Sequence, residues 1–498
     1  MEQKLTARLE GWWRDNRVPA LSALVFGLLA HAFMMLNKIP VDDDLPNMFN
    51  KGATTVSGRY GLELLRLVMP DWSMPWIYGL MSLAFLAAAT CVIVRLFDIR
   101  SRALQILLPA VFVTFPAETG TMAYMFTAAP YALALLLTVE GVALFDRGGR
   151  GRRLAAVLLI AFSCSVYQGY FAFAASFCVI LMIRRLVKTD ESALSVLVYG
   201  LKLLGLLLCA LAVYGLAILV ASKALGLPLL SEAINEKQSL PLRVAVAYSA
   251  WFKTLTRGYF AYVNTAAARV LHGLLLLITA AALTLRVISR WTRGRWLLLC
   301  LCLFLFPLSC YCLYLLADNG YIHSLALYPF ASLYVLCAVL LDGAELPSLR
   351  HAAALALALI VAGNVYFANS YSLYAKLQYE NTYALYTGML ARVTSRADFD
   401  GNTSLAILGE RPALRCDVGG EFDFDRFQLP GVNITDTRQA ENVIREYLGF
   451  DLSFTDEQTA AAIGQSAEFA AMPVYPYDGS VQKFGDVIVV KFGGAGDA

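Results

Sequence analysis

Three consecutive carboxylates, Asp42-Asp43-Asp44, stand between Pro40-Val41 and Leu45-Pro46, a few residues after the first long apolar segment. Like charges gathered this closely are costly, so the run calls for a cation, a basic partner or a shared proton. A carboxylate within hydrogen-bond reach of a hydroxyl can take its proton as the oxygen attacks, so the run suits general-base work. Asp43 and Asp44 could also hold a divalent metal, Mg or Mn, although the sequence does not require one. The plain alternative is a solvated surface loop.

A second set of residues could meet an anion. Arg59, Arg66, Arg243, Lys253, Arg257 and Arg269 fall in stretches expected on the same side of a membrane as the aspartates, against the usual bias of basic residues. Arg and Lys beside an interfacial helix suit a lipid-linked phosphate; headgroup contacts and surface ion pairs are the alternative. Arg59 lies closest to the aspartates in sequence. Tyr167 and Gln168 interrupt an otherwise apolar run, and Glu118 is a lone carboxylate in an expected outer stretch. Polar groups so placed tend to face a cavity rather than lipid.

Positioning these residues is a matter for the membrane. The chain has 498 residues, 59% of them hydrophobic and only 15% charged, with a mean hydropathy of +0.60. Soluble domains carry roughly a quarter charged residues, so this composition describes an α-helical polytopic membrane protein. A net charge of +3 points to no nucleic-acid partner, and four histidines without Cys/His clustering argue against a zinc or haem site. Of the ten cysteines only Cys416 lies beyond the apolar segments.

About 11 transmembrane helices are expected. They fall at 19–37, 76–96, 103–115, 122–145, a hairpin of two short spans within 154–183, then 196–223, 267–288, 296–316, 323–341 and 352–371. Lys4, Arg8, Arg14 and Arg17 precede the first span and place the N-terminus in the cytoplasm. The outer loop 38–75 would then carry the aspartates and an amphipathic surface helix over 53–69. A second surface helix is expected over 241–262. Residues 1–371 form the membrane domain. Residues 372–498, with 18 Asp/Glu against 10 Lys/Arg, read as a small periplasmic α/β domain. Strands are expected at 404–408 and 487–492, and helices at 372–394, 437–447 and 455–463.

A first span, an outer acidic pair and a Gly-Arg-aromatic motif before a surface helix resemble the GT-C superfamily. More closely, the chain resembles the membrane glucosyltransferases of phage-type O-antigen modification, the glucosyltransferase II type. The matching residues are Asp42-Asp43-Asp44, Gly58-Arg59-Tyr60, Ala123-Tyr124-Met125-Phe126 with Pro130-Tyr131, and Ser165-Val166-Tyr167-Gln168-Gly169-Tyr170. The tail adds Met472-Pro473-Val474-Tyr475-Pro476-Tyr477-Asp478-Gly479-Ser480 and Val487-Ile488-Val489-Val490-Lys491.

The resemblance implies a GT-C-like fold in a bacterial inner membrane and an inverting transferase. It would move a sugar, typically glucose, from undecaprenyl phosphate to a periplasm-facing glycan such as O-antigen. The family's acidic pair maps best to Asp43 and Asp44, with Asp42-Asp43 the other choice. Arg59, helped by Arg243, Lys253 or Arg257, would meet the departing phosphate; Glu118, Tyr167 and Gln168 would line the sugar pocket. Two other functions compete. A flippase for a lipid-linked sugar would need charges midway along several spans, whereas charges here gather at span ends. An O-antigen ligase or polymerase would carry a large outer loop rich in Arg and His.

Overall fold

The computed structural model describes residues 2–41, 58–69, 73–225, 239–258, 266–287, 291–316, 323–344, 346–400, 402–410, 424, 429, 431 and 437–493. Asp42, Asp43 and Asp44 lie outside them. The chain divides into two compact units: Met1–Lys38, Lys51–Tyr371 and Gly420–Leu429 in one, Ile39–Asn50, Ser372–Gly419 and Pro430–Ala498 in the other.

The first unit is a multi-pass helical bundle. Its helices are α1 (Glu2–Leu36), α2 (Tyr60–Leu65), α3 (Pro75–Leu96), α4 (Arg102–Val113), α5 (Pro116–Ala123), α6 (Met125–Arg147), α7 (Arg150–Val166), α8 (Phe171–Lys188), α9 (Ala193–Leu225), α10 (Leu240–Lys253), α11 (Ala266–Val287), α12 (Arg293–Cys310), α13 (Ser332–Leu341) and the start of α14 (Pro347–Thr394). Backbone polar groups in a bilayer must be satisfied within the segment, which is why apolar stretches of this length fold as helices. Among the described residues nine helices are long and apolar enough to cross, or ten if the bent pair α4–α5 counts as one span. The remaining segment of the eleven expected is α7, whose 17 residues fall just short.

Local details differ from the sequence reading. The first surface helix is Tyr60–Leu65, and Arg59 before it has a non-helical backbone; positions 53–57 of the expected helix lie outside the described residues. The third span continues past a 47° bend into α5. The 372–394 helix is not separate but continues the last span in one helix of 48 residues, about 70 Å at 1.5 Å per residue.

One end of the bundle is knotted together by basic side chains. Asp342, after α13, accepts from Lys188 Nζ at 2.8 Å and from the backbone amides of Arg100 and Ser101. Asp146 lies 3.1 Å from Arg185 and 3.4 Å from Arg184. Asp146 precedes α7 and the two arginines end α8, so α7 and α8 run out and back, as the expected hairpin requires. Arg184 also bonds the Leu96 carbonyl, and Arg295 the carbonyls of Leu186 and Thr189. These contacts bring the ends of α3, α8 and α13 and the starts of α4 and α12 to one level.

Helices break on the way to the other end, at Thr114-Phe115, Tyr124, Tyr167–Tyr170 and Tyr311–Leu315. The thirteenth helix is preceded by a 3-10 segment, Ser324–Ala331. Irregular backbone at membrane depth persists where protein buries it, and all eight residues of α5 are buried.

The second unit begins within α14 and adds β1 (Ser404–Leu408), α15 (Thr437–Asn442), β2 (Ser453–Phe454), α16 (Glu457–Gly464), α17 (Ala467–Ala471), β3 (Val481–Phe484) and β4 (Val487–Lys491). The sheet order is β2-β1-β4-β3, parallel except for β3 against β4. Alternate strand residues face opposite sides. Leu405, Ile407, Ile488 and Val490 pack with Met389, Leu390 and Val393 of α14 and with Ala440 and Ile444. Ala406, Val487 and Val489 pack with Ile463 and Phe469 on the other face. The result is a small α/β layer structure.

Candidate active site

The turn between α7 and α8 shapes the site. Tyr167 ends α7 in an extended conformation, φ −151° and ψ 110°, and Gln168–Tyr170 form one 3-10 turn. The Tyr167 ring folds back over Gly169: a Cβ there would lie 2.5 Å from Tyr167 Cε1, so glycine is required. The ring stacks on Tyr131 of α6 with centroids 4.4 Å apart and meets Tyr170 edge-on at 5.1 Å.

Arg59 reaches this aromatic group from the start of α2. Its Nη1 donates to the Tyr131 hydroxyl at 3.0 Å, and its guanidinium lies 5.4 Å from the Tyr167 ring centroid. The approach depends on close packing of α2 against the end of α7. Leu62 is buried there, and a Cβ on Gly61 would fall 2.8 Å from the Ser165 carbonyl carbon. Behind Arg59, the Gly58 carbonyl accepts from the Tyr214 hydroxyl of α9 at 3.2 Å. That hydroxyl accepts in turn from Gln168 Nε2 at 2.9 Å.

Glu118 differs from its expected place at an outer edge. It lies in α5, wholly buried, and among the described residues neither carboxylate oxygen makes a hydrogen bond that meets ordinary geometry. The Thr121 hydroxyl, three residues on, donates to the Ala117 carbonyl at 3.3 Å. The hydroxyls of Tyr170 and Tyr328 are within electrostatic reach. Tyr328 donates to the Phe112 carbonyl at 2.9 Å and stacks on Phe115 with centroids 5.8 Å apart. Tyr170 and Tyr328 lie 6.4 Å apart, so one continuous aromatic wall runs from Arg59 to Glu118.

The other basic candidates do not join this cluster among the described residues. Arg243 donates to the Leu315 carbonyl at 3.0 Å, and Arg66 pairs with Glu63 at 2.8 Å. Lys253 is exposed at the end of α10; Arg257 lies in the π-type turn Thr254–Gly258 that follows. His323 has a structural place: its Nδ1 accepts from the Leu325 amide at 3.3 Å. No group of three or more His, Cys, Asp or Glu able to hold a metal occurs among the described residues, and Asp43 and Asp44 are not among those residues.

Sequence reasoning gave no role to Tyr131, Tyr170, Tyr214 or Tyr328. Tyr131 and Tyr170 stand within the quoted motifs. Tyr214 could have been noticed as a lone hydroxyl midway along a strongly apolar span. Thus the Gly58-Arg59-Tyr60, Pro130-Tyr131 and Ser165–Tyr170 segments, far apart in sequence, meet at one point.

No curated protein and no solved structure matches the chain. One family model does, described as glucosyl transferase GtrII, over residues 32–341. The match runs from the end of α1 through α13 and covers the Arg59 cluster, Glu118 and the aspartates. The chain therefore belongs to the glucosyl transferase GtrII family.

Proposed function

We propose that this glucosyltransferase is inverting, and that it moves glucose from undecaprenyl phosphate to a periplasm-facing glycan such as O-antigen. The observation that carries the reading is the Arg59 guanidinium, held at 3.0 Å by Tyr131 against the Tyr167 ring where the helices break. A phosphate leaving group needs cationic stabilisation as charge develops on it, and a guanidinium offers donors in a fork that matches phosphate oxygens.

In the proposed reaction the acceptor hydroxyl oxygen attacks C1 of glucose. The bond from C1 to the phosphate oxygen breaks, and its electron pair leaves with undecaprenyl phosphate. The acceptor proton passes to Asp43 or Asp44, with Asp42 the remaining choice. One base suffices for inversion. Arg59 receives the phosphate, and Arg243, Lys253 and Arg257 are proposed as helpers near the lipid surface. Glu118, Tyr167 and Gln168 are assigned to the sugar side. Asp43 and Asp44 are also where a divalent metal would sit if the reaction uses one.

Orientation follows from charge. Arg95, Arg100, Arg147, Arg184, Arg185, Lys188 and Arg295 gather at the end away from the Arg59 cluster. The positive-inside rule puts that end in the cytoplasm and Arg59 on the periplasmic side of the inner membrane.

The test uses the full chain in nanodiscs with labelled undecaprenyl-phosphate glucose and a lipid-linked glycan acceptor. Label should move to the glycan with release of undecaprenyl phosphate, and the Asp43→Asn/Asp44→Asn double variant should not support it. Movement of intact labelled lipid across the bilayer without transfer would overturn the reading in favour of a flippase.

A further inference from the structure

We propose that Tyr214 is a positioning residue for Arg59. Its hydroxyl bridges the backbone that carries Arg59 and the turn that carries Tyr167. The proposal rests on the transferase reading above and adds a residue to it.

The bridge uses both capacities of one hydroxyl. Tyr214 donates to the Gly58 carbonyl at 3.2 Å and accepts from Gln168 Nε2 at 2.9 Å. Those partners lie 156 and 46 residues away in sequence. Gly58 has φ of +71°, a left-handed conformation that glycine adopts without strain, and it turns the carbonyl that Tyr214 meets. Arg59 follows directly. The Tyr214 ring also lies 6.4 Å from the Tyr60 ring on the other side of Arg59.

The rest of α9 gives this hydroxyl few competitors. Little of its apolar length is buried, and the neighbouring Val213 and Leu216 are 37% and 63% exposed. This helix faces lipid along most of its length. Buried hydroxyls at membrane depth are costly unless satisfied, and Tyr214 is satisfied by the two segments that place the site's aromatic and cationic groups. Arg59 contacts Tyr131 and Tyr167 through its side chain while Tyr214 fixes its backbone. Without the hydroxyl, Gly58 and Gln168 lose their shared partner, and the guanidinium loses its register with the Tyr131–Tyr167 stack.

The experiment is a double-mutant cycle on full-length protein in nanodiscs, with Tyr214→Phe, Arg59→Lys and the double variant. Tyr214→Phe keeps the ring and removes only the bridge. It should lower kcat about tenfold, which is about 1.4 kcal/mol of barrier. KM for the acceptor should stay unchanged. In the Arg59→Lys background the same change should cost less than about twofold, because no placed guanidinium remains to be displaced. Equal fold losses in both backgrounds would overturn positioning in favour of an independent structural role; so would an unchanged kcat in Tyr214→Phe. Hydrogen exchange over residues 59–66 reads the bridge without substrate: Tyr214→Phe should quicken it, and no change overturns the proposal. If wild-type protein transfers no glucose from this donor, the transferase reading has failed, and the exchange result still decides whether the bridge holds Arg59.

Discussion

Arg59 and Tyr131 are joined by a 3.0 Å hydrogen bond across 72 residues of sequence, and the same guanidinium lies against the Tyr167 ring. Lysine keeps the charge but has neither the planar fork nor the stacking face. Arg59→Lys should therefore lower the transfer rate on the order of tenfold or more while the protein still folds. Initial rates with saturating acceptor measure this. A rate within about twofold of wild type, less than ~0.5 kcal/mol of barrier, would mean that a point charge suffices and that the stack is incidental.

Glu118 offers a test of a different kind. A buried carboxylate with no hydrogen-bond partner among the described residues is a cost to the fold, and one carried at membrane depth calls for a function. Glu118→Gln keeps the shape and removes the charge. Thermal stability should hold or rise, while transfer of glucose falls on the order of tenfold or more if the carboxylate meets sugar hydroxyls. A fall in Tm with activity intact would assign Glu118 to structure.

The junction of α2 and α7 is set by Gly61. An alanine Cβ there would stand 2.4 Å from Ser165 Oγ and 2.8 Å from the Ser165 carbonyl carbon. The hydroxyl can turn away; the backbone cannot. Gly61→Ala should cost about 1–3 kcal/mol by overpacking and pull Arg59 from Tyr131, lowering the transfer rate. Gly205→Ala, with open space at its Cβ, is the control that should leave both stability and rate near wild type.

Much of this architecture is legible in the sequence because lipid leaves the backbone few choices. Runs such as 75–96 and 266–287 must be helices, and basic clusters at Arg147–Arg153 and Arg184–Lys188 mark where the chain returns. Tyr167 and Gln168 stand out because polar residues interrupt an apolar run. The site's assembly is less legible. Nothing local to Arg59 says that it meets Tyr131, because that contact depends on how α2 docks on α7. Glu118 follows Pro116, and that helix-starting proline reads equally well as an outer turn or as the first turn of a buried helix. Tyr214 lies in a span whose hydropathy hides one hydroxyl among many apolar atoms. The small strands β2 and β3 are not legible because two to four residues carry too little pattern, whereas the short apolar run at Ser404–Leu408 is enough.

Asp342 holds the other end of the bundle. It is 2.8 Å from Lys188 Nζ, and the two side chains are 6% and 14% exposed. Lys188 Nζ also donates to the Phe97 and Asp98 carbonyls at 3.2 and 2.7 Å, so losing Asp342 leaves the ammonium partly satisfied, at about 1–3 kcal/mol. Asp342→Ala should lower Tm markedly, since the amides of Arg100 and Ser101 lose their acceptor as well. Lys188→Met added to it should recover part of the loss, because an ammonium that has lost its carboxylate is gone. A double variant no better than Asp342→Ala would place the whole effect in the amide bonds.

Acid should loosen the α/β unit through three carboxylates. Asp398 is held below the usual carboxylate range by its bond to Arg396, Asp400 by Thr403 Oγ1, and Asp456 by the Thr459 amide it caps. Asp456 accepts from that amide at 2.9 Å and from the Thr459 hydroxyl at 2.7 Å. A carboxyl whose folded pKa is depressed adds stability above its unfolded value, about 3.9, and that stability is lost as pH falls through the folded value. Hydrogen exchange in the full chain, corrected for intrinsic rates, should therefore quicken over 396–405 and 456–464 as pH drops from about 5 to 3. Asp456→Asn retains a capping oxygen but has no proton to gain, so exchange over 456–464 should lose its own part of that pH dependence. Exchange flat across this range in wild type would mean that these bonds add nothing to the folded state.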